Sequence, residues 1–132
     1  TGITRGTNRS HIARATLESL AYQTCDILKA MEEDSGIKIT SLKVDGGASA
    51  NDMLMQFQAD MINGDVYRPS CIETTALGAA YLAGLATGFW KGTDDIRANW
   101  HTDRVFSCEA SEEDRRIKLE GWSHAVRQAM TR

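Results

Sequence analysis

A chain of 132 residues with a formal net charge of -3, 42% hydrophobic and 25% charged, has the composition of one soluble domain built on a single core. No basic patch points to nucleic acid or to an anionic lipid surface. The longest apolar stretch, Ala76 to Ala86, falls well short of the ~20 residues that span a bilayer.

Cys25, Cys71 and Cys108 are odd in number and show no CxxC or Cys/His spacing, so reduced thiols in a cytoplasmic protein are the expectation. The opening TGITRG has no initiator Met and no signal-peptide pattern, and reads as the start of a piece of a longer chain. Thr1 to Asn8 reads as the end of a strand followed by a turn. From Ser10 onward, Ala13, Leu17, Leu20, Thr24, Leu28 and Met31 recur every three or four residues, which predicts a helix of about six turns. Ser10 or Asn8 can cap its start, and Gly36 can end it in the left-handed region.

Ile37 to Val44 carries β-branched and apolar residues in alternation as a strand does, and Asn51 to Ile62 returns to helical spacing through Leu54, Phe57 and Met61 before an Asn63-Gly64 stop. Asp65 to Arg68 reads as a short strand closed by Pro69. Thr74 or Thr75 can cap a third helix from Ala76, whose Gly78, Ala79, Ala80, Ala83 and Gly84 suit close packing on a sheet or helix. TDDIRANW predicts a short helix capped by Thr93, followed by a polar connection. Ser111 and Asp114 then suggest a capping box for a last helix carrying Leu119, Trp122, Val126 and Met130, with Arg127 and Arg132 near its end. Trp90, Trp100 and Trp122 are expected to anchor the tail to the core. Helices alternating with short strands argue for an α/β layer structure.

The candidate site is the turn in LKVDGGASANDML, Leu42 to Leu54. Ligands of open α/β sheets gather where strands end and helices begin. Gly46 and Gly47 leave no Cβ to block a base, a ribose or a phosphate, and the unpaired amides of the next helix point outward. Asn51 can address a nucleotide or simply cap the helix; Asp45 can bind a metal or hold a turn. The pattern is neither GxGxxG nor GxxxxGK[ST], so neither the dinucleotide fingerprint nor the P-loop applies.

Together, RATLESLAYQTCDIL, VDGGASANDMLMQFQADM and ETTALGAAYLAGLATGFW resemble the C-terminal domain of the FGGY carbohydrate kinases, and GWSHAVRQAM resembles that family's closing helix. LMQFQAD and AGLATGFW favour the glycerol-phosphorylating branch over those acting on xylulose, gluconate or rhamnulose. The resemblance implies part of a ribonuclease-H-like domain of the actin, hexokinase and Hsp70 type, with residues 1–132 lacking its first strands and the substrate domain absent. It also implies ATP or ADP with Mg2+ as cofactor, the metal not bound by residues of this segment. Carried over by motif, Gly47 and Asn51 contact the nucleotide, and Gly46 and Ala48 complete the same wall.

No residue here matches the family's catalytic aspartate, so the segment alone is expected to be inactive. With the first strands missing, a strand near Thr1 to Arg5 could become an open edge, which predicts a homo-oligomer. Glu112, Glu113 and Asp114 fit a solvated first turn, or a regulatory contact of the kind the resemblance suggests. A stable module for subunit or regulatory contacts, binding no nucleotide by itself, is the alternative of another class.

Overall fold

Asn8 starts the first helix. The computed structural model describes residues 1–130, and α1 spans Arg9–Ser35. Asn8 Oδ1 accepts the N–H groups of Ser10 and His11 at 2.9 and 3.3 Å, and His11 Nδ1 accepts the Asn8 N–H at 3.2 Å. Asn8, not Ser10, is therefore the cap. Gly36 closes the helix at φ 69°, its N–H on Glu32 O at 2.8 Å.

The strand expected at the N-terminus is not formed. The Thr4 N–H donates to Thr7 Oγ1 at 3.0 Å and the Thr7 N–H returns to Thr4 O at 3.0 Å, a closed turn that takes the groups a ladder would need. β1 is likewise shorter than its pattern, Ser41–Lys43 rather than Ile37 to Val44. One reason is local: the Ile39 N–H is taken by the Glu32 carboxylate at 2.5 Å.

After β1 come a single 3-10 turn, Gly47–Ala50, then α2, Asp52–Ile62, and β2, Asp65–Pro69. β1 and β2 run parallel with Leu42 opposite Val66, so the segment is a strand, turn, helix, strand unit. Gly64 makes the return possible, because a Cβ there would run into the Thr40 carbonyl oxygen. α3 spans Thr74–Ala86, α4 Thr93–Ala98, β3 Thr102–Phe106 and α5 Glu112–Met130. Arg132 lies outside the described residues.

β3 was read from sequence as a polar connection, and its charges explain why. It pairs antiparallel with β2, giving the sheet order β1-β2-β3, and only Phe106 of its five residues is buried. The register sets Arg104 directly opposite Arg68, a repulsive pairing by itself. Asp52, in the first turn of α2, bridges the two: its carboxylate accepts from Arg68 at 2.6 Å and Arg104 at 2.7 Å. Asp103 holds Arg68 from the other side at 2.7 Å.

The core is α2 and the sheet it covers. Leu54, Met55, Phe57, Ala59 and Met61 of α2 are buried with Val66, Phe106 and, from α1, Ala21. Tyr22 meets Phe57 edge-on, ring centroids 5.4 Å apart. Met55 and Met61 are thus packing residues, while Met53 remains exposed.

α3 departs from expectation. It has no buried residue and does not pack closely on the sheet; Leu82 is 70% exposed. Its small residues serve a nearer neighbour, since Gly84 lies against the Trp90 indole, which meets Tyr81 and Phe89 edge-on. Neither α3 nor α4 has a side-chain cap: their N-cap positions are Glu73 and Gly92, not the threonines. At α5 the Asp114 N–H donates to Ser111 Oγ at 3.1 Å, as in a capping box, but the Asp114 carboxylate accepts from the Ser111 hydroxyl at 2.8 Å instead of its backbone. Trp100 stays at the surface, with Lys43 Nζ 5.4 Å from its ring centroid.

Candidate nucleotide-binding turn

The turn begins where β1 stops. Gly46 takes φ 76° and ψ 169°, a conformation closed to most side chains, and this reverses the chain into the 3-10 turn. A Cβ at Gly46 or Gly47 would meet nothing within 4 Å, so the two residues face open space. Sequence reasoning assigned both glycines one purpose; the structure separates them. Gly46 needs its backbone angle, whereas Gly47, without positive φ, leaves room.

Asn51 reconciles its two readings. Its Oδ1 accepts the Leu54 N–H at 3.1 Å, so it does cap α2. Among the described residues nothing accepts from its Nδ2, and the residue is exposed. Asn51 can therefore present an amide donor to an acceptor atom outside the chain while its oxygen serves the helix. Gly46, Gly47, Ala48 and Asn51 lie on one continuous segment, with Gly47, Ala48 and Asn51 exposed and Gly46 half-buried.

Asp45 holds a turn. Its carboxylate accepts a hydrogen bond from the Thr74 hydroxyl at the start of α3. Beside it the Gly46 N–H donates to Ile72 O at 2.7 Å. The loop after β2 thus grips the loop after β1. Inside the turn Ser49, 1% exposed, closes the ring: its hydroxyl and N–H both donate to Gly46 O, at 2.7 and 3.0 Å. The Ser49 carbonyl in turn accepts from Arg68 Nη1 at 3.1 Å. Arg68's hydrogen bond holds the Asp52 carboxyl below the usual carboxylate range, so Asp52 keeps its charge against the positive end of α2.

Thr74, Ser49 and Arg68 were not singled out from sequence as part of the site. Thr74 carried a signal, but for a cap. Ser49 and Arg68 act through backbone carbonyls, for which a linear pattern has no signature. Among the described residues no group of three His, Cys, Asp or Glu side chains could hold a metal ion, and no helix is long and apolar enough to cross a membrane.

Comparison with known proteins bears on this geometry. Residues 1–87 match the C-terminal domain of the FGGY family of carbohydrate kinases. Over 129 residues the chain is 64% identical to a glycerol kinase of Caldanaerobacter subterraneus subsp. tengcongensis, covering 98% of this chain and 26% of that protein. A crystal structure of Plasmodium falciparum glycerol kinase with ADP superposes with a TM-score of 0.86 at 36% identity, over 100% of this chain and 26% of the other. A xylulose kinase from Rhodospirillum rubrum shares the fold, with a TM-score of 0.75 at 23% identity over 97% of this chain and 26% of that one. The chain thus spans about a quarter of the length of the relatives it matches.

The short mixed sheet with packed helices is part of an ATPase fold of the actin and hexokinase type, and the glycine turn sits at its strand-to-helix edge. The chain belongs to the FGGY family of carbohydrate kinases, within the C-terminal domain.

Proposed function

We propose that this chain is the adenine-nucleotide-facing part of a glycerol kinase, an enzyme that moves the γ-phosphoryl group of ATP to a glycerol hydroxyl to give glycerol 3-phosphate. The observation that carries this reading is the 64% identity to a glycerol kinase over 129 residues, against 23% to a xylulose kinase of the same fold. The turn fits a nucleotide. Gly47 leaves the backbone open, Gly46 and Ala48 shape the wall, and the Asn51 amide donates to a base or ribose acceptor. ADP in the Plasmodium kinase structure supports the same assignment.

When bound, ATP would supply the transferable phosphoryl group, with Mg2+ offsetting its charge. The residues described here make no metal set, and no step through the metal is assigned to them. Their contribution is uniform binding and orientation; the proton-accepting carboxylate and the glycerol contacts belong to the substrate domain of a longer protein. The outer edge of β1 supports that division. β1 is the end strand of the sheet, beside a groove of about 380 Å³ lined by Leu20, Ile27, Leu42 and the buried Gln58, whose Nε2 finds no partner among the described residues. We place the further strands of the domain there. Where the chain stands alone, a homo-oligomer would use that edge and not Thr1 to Arg5, and a sedimentation coefficient of the isolated chain that is independent of concentration, at the monomer value, would rule it out. Cys25, Cys71 and Cys108 as free thiols are in keeping with a cytoplasmic enzyme.

The test is an ADP titration of the chain followed through the amide signals of Gly46, Gly47 and Asn51. Saturable shifts confined to these residues are expected. A folded chain with no shifts would favour the alternative, a contact module that binds no nucleotide without its partner domain. Phosphorylation of glycerol in preference to xylulose by the full-length protein checks the substrate; the reverse preference would overturn it.

A further inference from the structure

The contacts beneath the turn assign a role to a residue outside it. We propose that Arg68 is a positioning residue for nucleotide binding, holding the segment from Ser49 to Asp52 at the angle from which Asn51 meets the ligand. The proposal rests on the nucleotide reading above and extends it to a side chain on the neighbouring strand.

Arg68 lies on the central strand, and its side chain is only 12% exposed. Nη1 donates both to Ser49 O at 3.1 Å and to Asp52 Oδ1 at 2.6 Å, while Nε donates to Asp103 Oδ2 at 2.8 Å. The guanidinium carbon sits 5.2 Å from the Phe106 ring centroid, fixing the plane from below. Ser49 and Asp52 bracket Ala50 and Asn51, so a single planar group holds both ends of the segment that carries the Asn51 amide. Asp103 fixes the fork from β3, and Arg104 takes the other oxygen of Asp52 at 2.7 Å. The orientation of Asn51 is therefore referred to two strands of the sheet, with Arg68 as the joint. A lysine in its place keeps the charge but not the fork, because one ammonium cannot reproduce the fixed directions of three donors.

The experiment compares Arg68→Lys with Asn51→Ala in the full-length kinase, with Arg97→Ala, an exposed arginine paired to Asp94, as control. Arg68→Lys is expected to raise the Michaelis constant for ATP about five- to tenfold, with turnover and the constant for glycerol within about twofold of the parent. Combined with Asn51→Ala, its effect should shrink below about twofold, the non-additivity of residues that act through one another. If Asn51→Ala raises the ATP constant and Arg68→Lys does not, or if their effects multiply independently, Arg68 has no positioning role although the nucleotide reading stands. If neither changes it, the nucleotide reading of the turn fails and this inference with it. A parallel loss of turnover and of both substrates would make Arg68 merely structural and overturn the proposal.

Discussion

Trp122 of α5 stacks on Tyr22 of α1, ring centroids 5.3 Å apart and planes 14° from parallel, and its indole Nε1 donates to Asp26 Oδ2 at 2.8 Å. One side chain thus ties the last helix to the first across 96 residues. Asp60 of α2 fastens the loop that leads into α5, its carboxylate accepting the Glu109 and Ala110 N–H groups at 2.9 and 3.3 Å.

Trp122→Ala is accordingly expected to lower unfolding stability by about 2–3 kcal/mol, less than a fully buried tryptophan, because the ring is only half-buried. Trp122→Phe keeps the stack and loses the hydrogen bond, which is worth about 1 kcal/mol. Urea titration of the two variants measures both; equal losses would mean that the hydrogen bond, and not the stack, fastens α5.

The two glycines of the turn should separate cleanly. Gly46→Ala places a side chain at φ 76° and ψ 169°, a region kept almost wholly to glycine, at a cost of about 1–3 kcal/mol in folding stability. Gly47→Ala has no such strain and open space for its methyl, so stability should change by less than about 0.5 kcal/mol. On the proposed nucleotide reading the same methyl would occupy the ligand's side of the turn and should weaken ADP binding. Thermal melts paired with ADP titrations test the pattern. A stability loss at Gly47 as large as at Gly46 would contradict it.

Cys25 gives the chain an alkaline limit. Burial first, with the Asp26 charge second, pushes its thiol up to about 11 from an ordinary 9.0. The raised folded-state value means that stability is complete below the unfolded pKa and declines as pH rises from about 9 to about 11, because the unfolded thiol ionises first. Tyr22, pushed by burial and then by Glu18 to about 12, extends the decline above pH 10. Denaturant midpoints between pH 8 and 11 should fall, and Cys25→Ala should flatten the first part of that curve. At neutral pH iodoacetamide should modify the exposed Cys71 well before Cys25.

What sequence could and could not convey divides by range. α1, α2 and the glycine turn are written in local chemistry: a cap, a period, a left-handed stop. Gly46, Gly47 and Asn51 could therefore be picked out as a candidate turn from their order, while Ala48 and the nucleotide role came only through the resemblance to the carbohydrate kinases. β3 was invisible because its first three residues are polar or charged and are stable as a strand only in register with β2, where Asp52 and Asp103 neutralise the facing arginines. The N-terminal strand failed for the opposite reason, since Thr4 and Thr7 satisfy each other locally. In the site itself, Thr74 and Arg68 lie 29 and 17 residues from Asp45 and Asn51 in the chain. Their roles arise only when the parallel pairing of β1 and β2 brings the segments that follow the two strands together.

The bond from the Gly46 N–H to Ile72 O should protect a loop amide against exchange. Its exchange with deuterium should be slow for as long as the lead-in to α3 remains docked, and should accelerate when that contact opens. A single glycine proton thereby reports how firmly the loops after β1 and β2 are docked in the absence of ligand. On the proposed nucleotide reading, the extent to which ADP slows that exchange would measure how far the turn is preformed before the nucleotide arrives.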